Sequence, residues 1–411
     1  MKIQPGSAFS PFRWPVFRAI WTANLASSLG SLIQATAAAW LMTELTASHL
    51  LVSLVQASVT IPVLALGLFA GVIADNYDRR QVMLVATWAM LVLSALLAAL
   101  DWVGVIGPAL LLFFTLAIGA GNALIGPAWQ ASVRLMVPRE DLPQAISLNA
   151  VSYNVARSLG PAIGGVLLSF AGPSTAFTVN ALSYLAFIYV LLRWRPETTN
   201  RARHPMLPAI AGGLRFSAGS SPVRRVLLRS FAFGVGIIAV QALLPLVAKD
   251  QLDSGEIGFG LMFGAFGVGA VIAAMWVSGI RRRFGPEAIV TWASVIAALA
   301  TALLALAPTI EIAMLAAFLA GCGHVSALTS LNVAIQMRSP DELLGRVLSI
   351  YQAMMFGGMA LGAAAWGALS DWIGTPSALL GSAAWLLVTL GVMRAFAPMP
   401  KIGEGVAKPA A

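Results

Sequence analysis

Arg157 is a cationic side chain in the middle of an apolar run at 145–169. Placing an arginine at that depth of a bilayer costs about 2.5–3.5 kcal/mol on insertion scales. We therefore expect its guanidinium to face a water-filled cavity and to contact carbonyls, amides such as Asn154 or Asn180, or an anionic group of a bound compound. The alternative is a structural arginine that snorkels along a cavity wall.

Other polar side chains also lie deep in apolar runs. Histidine side chains in general titrate near neutral pH, so His324 predicts a proton relay, although a lone histidine in an apolar helix is often only a hydrogen-bonded structural residue. Asn122 occupies the equivalent place earlier in the chain. One run carries polar residues at helical spacing, namely Asn24, Ser27, Ser28, Ser31 and Gln34. That stripe predicts a cavity wall, to which Gln241 is a further candidate, or polar contacts that join helices.

Patterns typical of enzymes and of cofactor sites are not found. The chain has no G-x-x-x-x-G-K-[ST] loop for a nucleotide, no H-E-x-x-H pattern, no cluster of His and Cys, and no evident Ser/His/Asp set. Its single cysteine, Cys322, rules out a disulfide framework within the chain. We therefore expect no cofactor, no metal and no enzymatic activity.

The elements that position these residues are apolar runs of about 20 residues, each long enough to cross a hydrocarbon layer of about 30 Å as a helix. Hydrophobic residues make up 59% of the chain and charged residues 10%. The predicted spans are 18–42, 50–74, 82–102, 108–130, 145–169, 175–194, 224–248, 257–280, 287–306, 310–336, 347–370 and 376–396. This pattern predicts an all-α membrane protein with twelve transmembrane helices.

The basic residues fix the expected orientation. Of the 25 Lys and Arg residues, all except Lys249 and Arg157 fall on one side of the alternating spans. Cytoplasmic loops carry such an excess, so both termini are expected in the cytoplasm and the chain in the inner membrane of a bacterium. The basic residues lie in short loops beside apolar runs, where lipid headgroups are better partners than nucleic acid.

The two halves of the chain repeat. An ungapped shift of 202 residues superposes Arg79-Arg80 on Arg281-Arg282 and Gly119-x-Gly121 on Gly321-x-Gly323. The same shift superposes Pro138, Glu140, Leu142, Ser147, Gly160 and Gly165 on Pro340, Glu342, Leu344, Ser349, Gly362 and Gly367. Two parallel six-helix repeats are the layout of a secondary transporter with its site at the midplane between the halves.

The repeat sets the expected domains. Residues 1–195 form the N-terminal six-helix repeat, 196–222 a cytoplasmic linker without an apolar run, 223–397 the C-terminal repeat, and 398–411 a disordered tail. We expect the protein to be a monomer.

Two motifs carry a resemblance to the major facilitator superfamily that extends over essentially the whole chain. The loop 71–80 reads GVIADNYDRR and is similar to the family's G-x-x-x-D-[RK]-x-G-R-[RK]. Gly71, Asp75, Arg79 and Arg80 match that motif, whereas positions 76 and 78 depart from it. In span 5, Gly160, Pro161, Gly164 and Gly165 resemble the G-P-x-x-G-G motif of antiporter branches. With Asn154 and Arg157, this run looks like the branch of the enterobactin exporter and macrolide efflux pumps.

The resemblance implies roles for both motifs. Asp75 would pair with arginine or cap a neighbouring helix and so hold the cytoplasmic side shut. The alternative is a solvated turn whose arginines only reflect the excess of basic residues in cytoplasmic loops. The span 5 motif implies export. Span 4 lacks the family's arginine, since 108–130 holds no charge, and this leaves the coupling ion open.

The expected function is therefore secondary active export of a small amphipathic compound, such as a siderophore, a macrolide or another drug, by alternating access. A proton is the expected coupling ion, and another ion is the alternative. Importers and lysolipid flippases of the same fold stay open. A membrane-embedded enzyme or a sensor without transport is the alternative of another class, although neither needs two matched halves.

Overall fold

The protein is described by a computed structural model that covers residues 9–195, 206–340 and 343–399, without the side chains at 68, 72, 74, 75 and 206–210. Over these residues it consists of helices and short connections. The helices are α1 Pro15–Leu45, α2 His49–Asn76, α3 Arg79–Trp102, α4 Pro108–Ser132, α5 Leu142–Arg193, α6 Met206–Gly219, α7 Ser221–Leu246, α8 Gly255–Ala305, α9 Ile310–Gln336, α10 Leu344–Ile373 and α11 Thr375–Phe396.

Two of these helices are each a pair of spans joined at a glycine. Gly172 in α5 has φ 74° and Gly285 in α8 has φ 82°. These left-handed conformations favour glycine, and the proline that follows each one (Pro173 and Pro286) starts the next helix. Ten helices of the described part are long and apolar enough to cross a membrane. With α5 and α8 each counted as two arms, twelve spans result, and the prediction of an all-α membrane fold is confirmed.

The connection between the halves contains a helix that the sequence did not predict. The segment 196–222 was expected to lack an apolar run, but α6 occupies Met206–Gly219 within it. A Cβ atom added at Gly213 would lie 2.9 Å from the Cβ of Arg346, so α6 packs closely on α10. Residues 196–205 lie outside the described residues.

The predicted disordered tail is ordered at its start. The backbone N–H of Met399 donates a hydrogen bond of 2.7 Å to Oε2 of Glu287, and the Met399 side chain is buried. Glu287 also pairs with Arg229 at 3.0 Å. Residues 398 and 399 therefore belong to the folded protein, because Glu287 supplies an acceptor that the sequence pattern did not reveal. Residues 400–411 lie outside the described residues.

The internal repeat is visible in the packing of equivalent glycines within each half. A Cβ atom added at Gly160 of α5 would lie 2.7 Å from the Cβ of Leu32 on α1. At the equivalent Gly362 of α10, an added Cβ would meet the carbonyl of Val235 on α7. Residues related by the shift of 202 thus pack on related helices.

The same symmetry extends to contacts between the halves. Gly165 of α5 packs on Gly260 of α8, with an added Cβ only 2.7 Å from the Gly260 Cα. Its equivalent, Gly367 of α10, packs on Ser53 of α2. The two halves therefore meet along two related helix pairs, α5 with α8 and α10 with α2.

The two ends of the bundle differ in how the halves are joined. We call the end with the α4–α5 connection and α6 the linker face, and the end with the α1–α2 connection the distal face. One large apolar cluster runs from mid-bundle to the distal face and draws on both halves; its members include Trp40, Val55, Leu243, Phe259 and Met359. Two smaller clusters lie toward the linker face, one around Phe17, Met83 and Phe187, the other around Val226, Leu331 and Val347. Each of these belongs to one half, so the apolar core joins the halves at the distal face.

A carboxylate fixes the start of the chain to the linker face. Asp141, just before α5, accepts hydrogen bonds from the Ser10 hydroxyl at 2.5 Å, the Trp14 indole at 2.9 Å and Arg13 at 3.2 Å. These donors, the Ser10 hydroxyl foremost, lower the pKa of the Asp141 carboxyl. The ionised form is therefore favoured in the folded protein.

We expect Asp141→Asn to lower the melting temperature of the purified protein at neutral pH, measured by tryptophan fluorescence. Because the folded-state pKa is lowered, the stabilisation is present above the unfolded pKa of about 3.9. It disappears as the pH falls through the folded-state pKa, so the difference from wild type narrows at acidic pH. The neighbouring Glu140 is exposed, and Glu140→Gln serves as the control. Equal losses for both variants would contradict this role.

Candidate functional site

Arg157 lies where the two halves meet. Its half-buried side chain extends from α5 onto α8, where the guanidinium carbon is 5.4 Å from the centre of the Phe266 ring. The backbone at Arg157 is equally close to α8, because a Cβ atom added at Gly267 would lie 2.5 Å from the Arg157 carbonyl oxygen. A cation over an aromatic face is a stabilising contact. Arg157 is thus held between the halves by an aromatic ring.

His324 approaches the same ring from a third helix. The buried imidazole on α9 lies 5.7 Å from the centre of Phe266. Its Nδ1 atom is buried and has no hydrogen-bond partner within the described part of the chain. Such a group carries a desolvation cost unless a water or a ligand satisfies it. Arg157, Phe266 and His324, which we call the central cluster, therefore combine a cation, a ring and an unsatisfied polar atom.

Carboxylates do not neutralise the central cluster. Within the described residues, none of the ion pairs found involves Arg157. The same residues contain no group of three His, Cys, Asp or Glu side chains arranged to hold a metal ion. The cluster therefore presents positive charge without an internal counter-ion, which suits an anionic or oxygen-rich group.

Asn154 lies on the same face of α5 as Arg157. Three residues separate them, a spacing that places side chains side by side on a helix. Its amide donates a hydrogen bond of 2.8 Å to the Ala150 carbonyl. Among the described residues, no hydrogen bond to its amide oxygen is found, so Asn154 keeps an acceptor beside Arg157.

Gln34 and Asn180 lie in a different place. The Asn180 amide donates hydrogen bonds to Gln34 Oε1 at 2.7 Å and to the Tyr184 hydroxyl at 3.2 Å, and Ser94 donates to Gln34 at 2.9 Å. The Ser31 and Tyr184 hydroxyl groups are 3.2 Å apart. This buried network joins α1, α3 and α5 within the N-terminal half. Its geometry supports the alternative that polar residues join helices.

The remaining candidates are scattered. Asn24 is half-buried on α1, and Asn122 is exposed on α4 although it is the repeat equivalent of the buried His324. Gln241 is buried on α7, and its Nε2 has no partner among the described residues. Gln241 therefore resembles His324 in offering an unsatisfied polar atom. The structure does not bring these three residues together.

The glycines of the span 5 motif contact two different helices. Gly164 packs on α1, with an added Cβ 3.1 Å from the Cβ of Thr36, as Gly160 packs on Leu32. Gly165 faces the other half, where an added Cβ would lie 2.6 Å from the Glu256 carbonyl oxygen. Across from Pro161, a Cβ added at Gly260 would lie 2.9 Å from the Pro161 carbonyl. The motif thus forms a seam between α5 and α8 in which backbones touch.

The loop motif at 71–80 joins helix ends at the linker face. Arg79 donates to the Ala131 carbonyl at 2.7 Å, near the end of α4. Arg80 donates to the carbonyls of Leu191 and Leu192 at 2.8 and 3.1 Å, at the end of α5. Cations at helix C-termini satisfy free carbonyls and favour the helix dipole. Both arginines therefore hold the N-terminal half together.

Gly71, at the start of that motif, lies close to the second half. A Cβ atom added at Gly71 would be 3.8 Å from Oγ of Ser349 on α10. Asp78 caps α3 by accepting from the Gln81 N–H at 3.0 Å. The Asp75 side chain lies outside the described residues, so its role in a gate stays a prediction.

Phe266 was not among the residues singled out from the sequence. It lies in an aromatic-rich stretch of α8 with no motif around it. The sequence offers one indication, the neighbouring Gly267, because a glycine in a helix allows another helix to approach closely. Only the folded structure shows that the helix approaching there is α5, at Arg157.

We expect Gly165→Ala to destabilise the protein by about 1–3 kcal/mol, since the added methyl meets backbone that cannot move aside. Gly126→Ala on α4 is the matched control, because nothing lies within 4 Å of a Cβ added there. The measurement is the melting temperature of each purified variant. If Gly126→Ala lowers the melting temperature as much as Gly165→Ala does, the close packing of Gly165 on α8 does not explain the loss of stability.

Comparisons with known proteins identify the family of this chain. Residues 6–410 match the model of a family described as transmembrane secretion effector. The enterobactin exporter EntS of Shigella boydii is 28% identical over 395 residues, which cover 92% of this chain and 91% of that protein. EntS of Escherichia coli is similar to the same extent.

Solved structures of transporters share the fold. The nucleoside transporter NupG matches with a TM-score of 0.72 at 14% identity, over 92% of this chain and 98% of that one. A bacterial homologue of the iron transporter ferroportin, in an inward-facing state, matches with a TM-score of 0.72 at 16% identity, over 93% and 98%. The chain is therefore a multi-pass membrane protein and a secondary transporter, and it belongs to the transmembrane secretion effector family of the major facilitator superfamily.

Proposed function

We propose that the protein exports a small amphipathic compound with an anionic or oxygen-rich group, of the siderophore or drug type, across the inner membrane of a bacterium. The observation that carries this proposal is the central cluster. A cation without a counter-ion and an unsatisfied histidine nitrogen contact one aromatic ring at the boundary between the halves. A compound bound there gains contacts with both halves at once.

The direction is supported by two observations. The span 5 motif forms the α5–α8 seam, and the resemblance assigns this motif to exporters. The relatives that cover most of the chain are named as exporters of enterobactin. Import or lysolipid flipping on the same fold is the alternative, and an accumulation experiment separates them.

In the proposed orientation, the linker face lies on the cytoplasmic side of the membrane. In the sequence, all Lys and Arg residues except Lys249 and Arg157 fall in segments that the alternation of spans assigns to that side. Since the apolar core joins the halves at the distal face, the structure would then be closed to the outside. An inward-facing transporter collects its cargo from the cytoplasm, as export requires.

Proton exchange is the proposed energy source, with His324 as the group that takes up the proton. Its Nδ1 has no hydrogen-bond partner in the described part of the chain, and it is the atom that would take up the proton. A proton and a cargo group that donates a hydrogen bond to Nδ1 would compete for the same nitrogen, so the binding of one would release the other, as exchange requires.

We expect expression to lower the accumulation of at least one amphipathic compound in cells without their own efflux systems. Arg157→Ala should reduce this export about 10-fold or more, the effect of losing a hydrogen bond to a charged group. Export by Arg157→Lys should fall nearly as far, because lysine keeps the charge but lacks the planar fork of hydrogen-bond donors.

The control is Arg193→Ala, because the side-chain contact found for Arg193 among the described residues is with the neighbouring Tyr189 ring, at the linker face. Unchanged export in Arg157→Ala at normal expression would exclude the substrate role. Raised uptake of a compound on expression would reverse the assigned direction.

The orientation is tested with single cysteines in a Cys322→Ser background. Ala218 at the linker face and Val103 at the distal face are both exposed. A membrane-impermeant maleimide added to intact cells should label Ala218→Cys only after permeabilisation and Val103→Cys without it. Labelling of both from outside would contradict the proposed topology.

A further inference from the structure

The first turn of α2 is capped by a carboxylate from the other half of the molecule. Asp371, in the last turn of α10, accepts hydrogen bonds from the backbone N–H groups of His49 at 2.6 Å and Leu50 at 3.1 Å. The Ser48 hydroxyl also donates to it, at 3.2 Å. The first N–H groups of a helix have no partner within the helix. Asp371 supplies that partner across the boundary between the halves.

The charge of Asp371 matches the position. The N-terminus of a helix carries a partial positive charge, which an anion stabilises. Both carboxylate oxygens are used, one by His49 and the other by Leu50 and Ser48. When the halves separate at the distal face, α2 loses this cap and Asp371 returns to water. The contact therefore favours one conformation over the other.

The contacts around this cap also join the two halves. The His49 ring approaches Ser370 through Nδ1 at 2.8 Å and Asp250 through Nε2 at 3.7 Å. The ammonium group of Lys249 contacts the Thr43 carbonyl at the end of α1. Each pair has one member in the N-terminal half and one in the C-terminal half. The polar contacts are thus concentrated at the face where the apolar core is shared.

We propose that Asp371 is a conformational lock that holds the distal face closed by capping α2. The proposal rests on the proposed alternating access and adds a residue outside both motifs. Rocking of the halves breaks the cap, so the free energy of the cap contributes to the balance between the two states. Loss of the carboxylate shifts that balance toward opening at the distal face.

The test measures distances between the halves by double electron–electron resonance in lipid nanodiscs, on a Cys322→Ser background. One spin-label pair, Val103 and Leu306, reports on the distal face, and both residues are well exposed there. A second pair, Leu135 and Met337, reports on the linker face from exposed positions related by the repeat. Opening at the distal face lengthens the first distance and shortens the second.

We expect Asp371→Asn to raise the population with the long distal distance at least twofold. Asp101→Asn is the matched control, because Asp101 is a distal-face carboxylate that accepts from Ser174 within one half. It should leave both distance distributions unchanged. Ser48→Ala removes the hydroxyl group that donates to Asp371 from the N-terminal half. It should shift both distance distributions in the same direction as Asp371→Asn.

Unchanged distributions in both Asp371→Asn and Ser48→Ala would overturn the lock, and so would an equal shift in Asp101→Asn. Should Asp371→Asn not yield monodisperse protein, Ser48→Ala decides the question. The distance measurement requires no substrate. A protein that fails to export in the accumulation experiment can still show the lock, so the two proposals fail separately.

Discussion

An arginine without a counter-ion between two six-helix halves is the constraint on which the rest of the structure depends. A lipid-facing position would be costly for Arg157, and a carboxylate partner would satisfy it permanently. The protein instead places the guanidinium against Phe266, on the other half, where a cation–π contact holds it. This contact stabilises the guanidinium in the fold and leaves it without a carboxylate partner among the described residues, as the proposed binding of an oxygen-rich group requires. His324, on a third helix, adds a buried Nδ1 atom that has no hydrogen-bond partner among the described residues.

The glycine seam is what brings this charge to the boundary. Gly165 and Gly267 allow the backbones of α5 and α8 to touch, and Arg157 is the residue of α5 that Gly267 contacts. The related pair α10 and α2 meets through Gly367. Since a Cβ added at Gly165 or Gly267 would collide with backbone, these two positions favour glycine, and at them the halves close without side chains between them. A contact of this kind releases and re-forms with few rotamers to reorder.

The sequence predicts most of the fold because spans, breaks and repeat each leave a local signal. The predicted break between 169 and 175 falls on Gly172, since a glycine–proline pair ends one helix and starts the next. The site is predicted less well. A polar residue in an apolar run signals burial but not its partners, so Gln34 and Asn180 look like cavity residues although they bond to each other. Phe266 gives no signal of its own beyond the neighbouring Gly267, because its role depends on a contact with Arg157 on another helix.

The central claim is that cargo binds at the central cluster between the halves. The most direct measurement is a cryo-electron microscopy structure of the full chain with an exported compound bound. The account predicts an oxygen of the compound within hydrogen-bond distance, about 3 Å, of the Arg157 guanidinium, with the compound also contacting His324 or Phe266. A compound bound within one half, with Arg157 still resting only on Phe266, would contradict it.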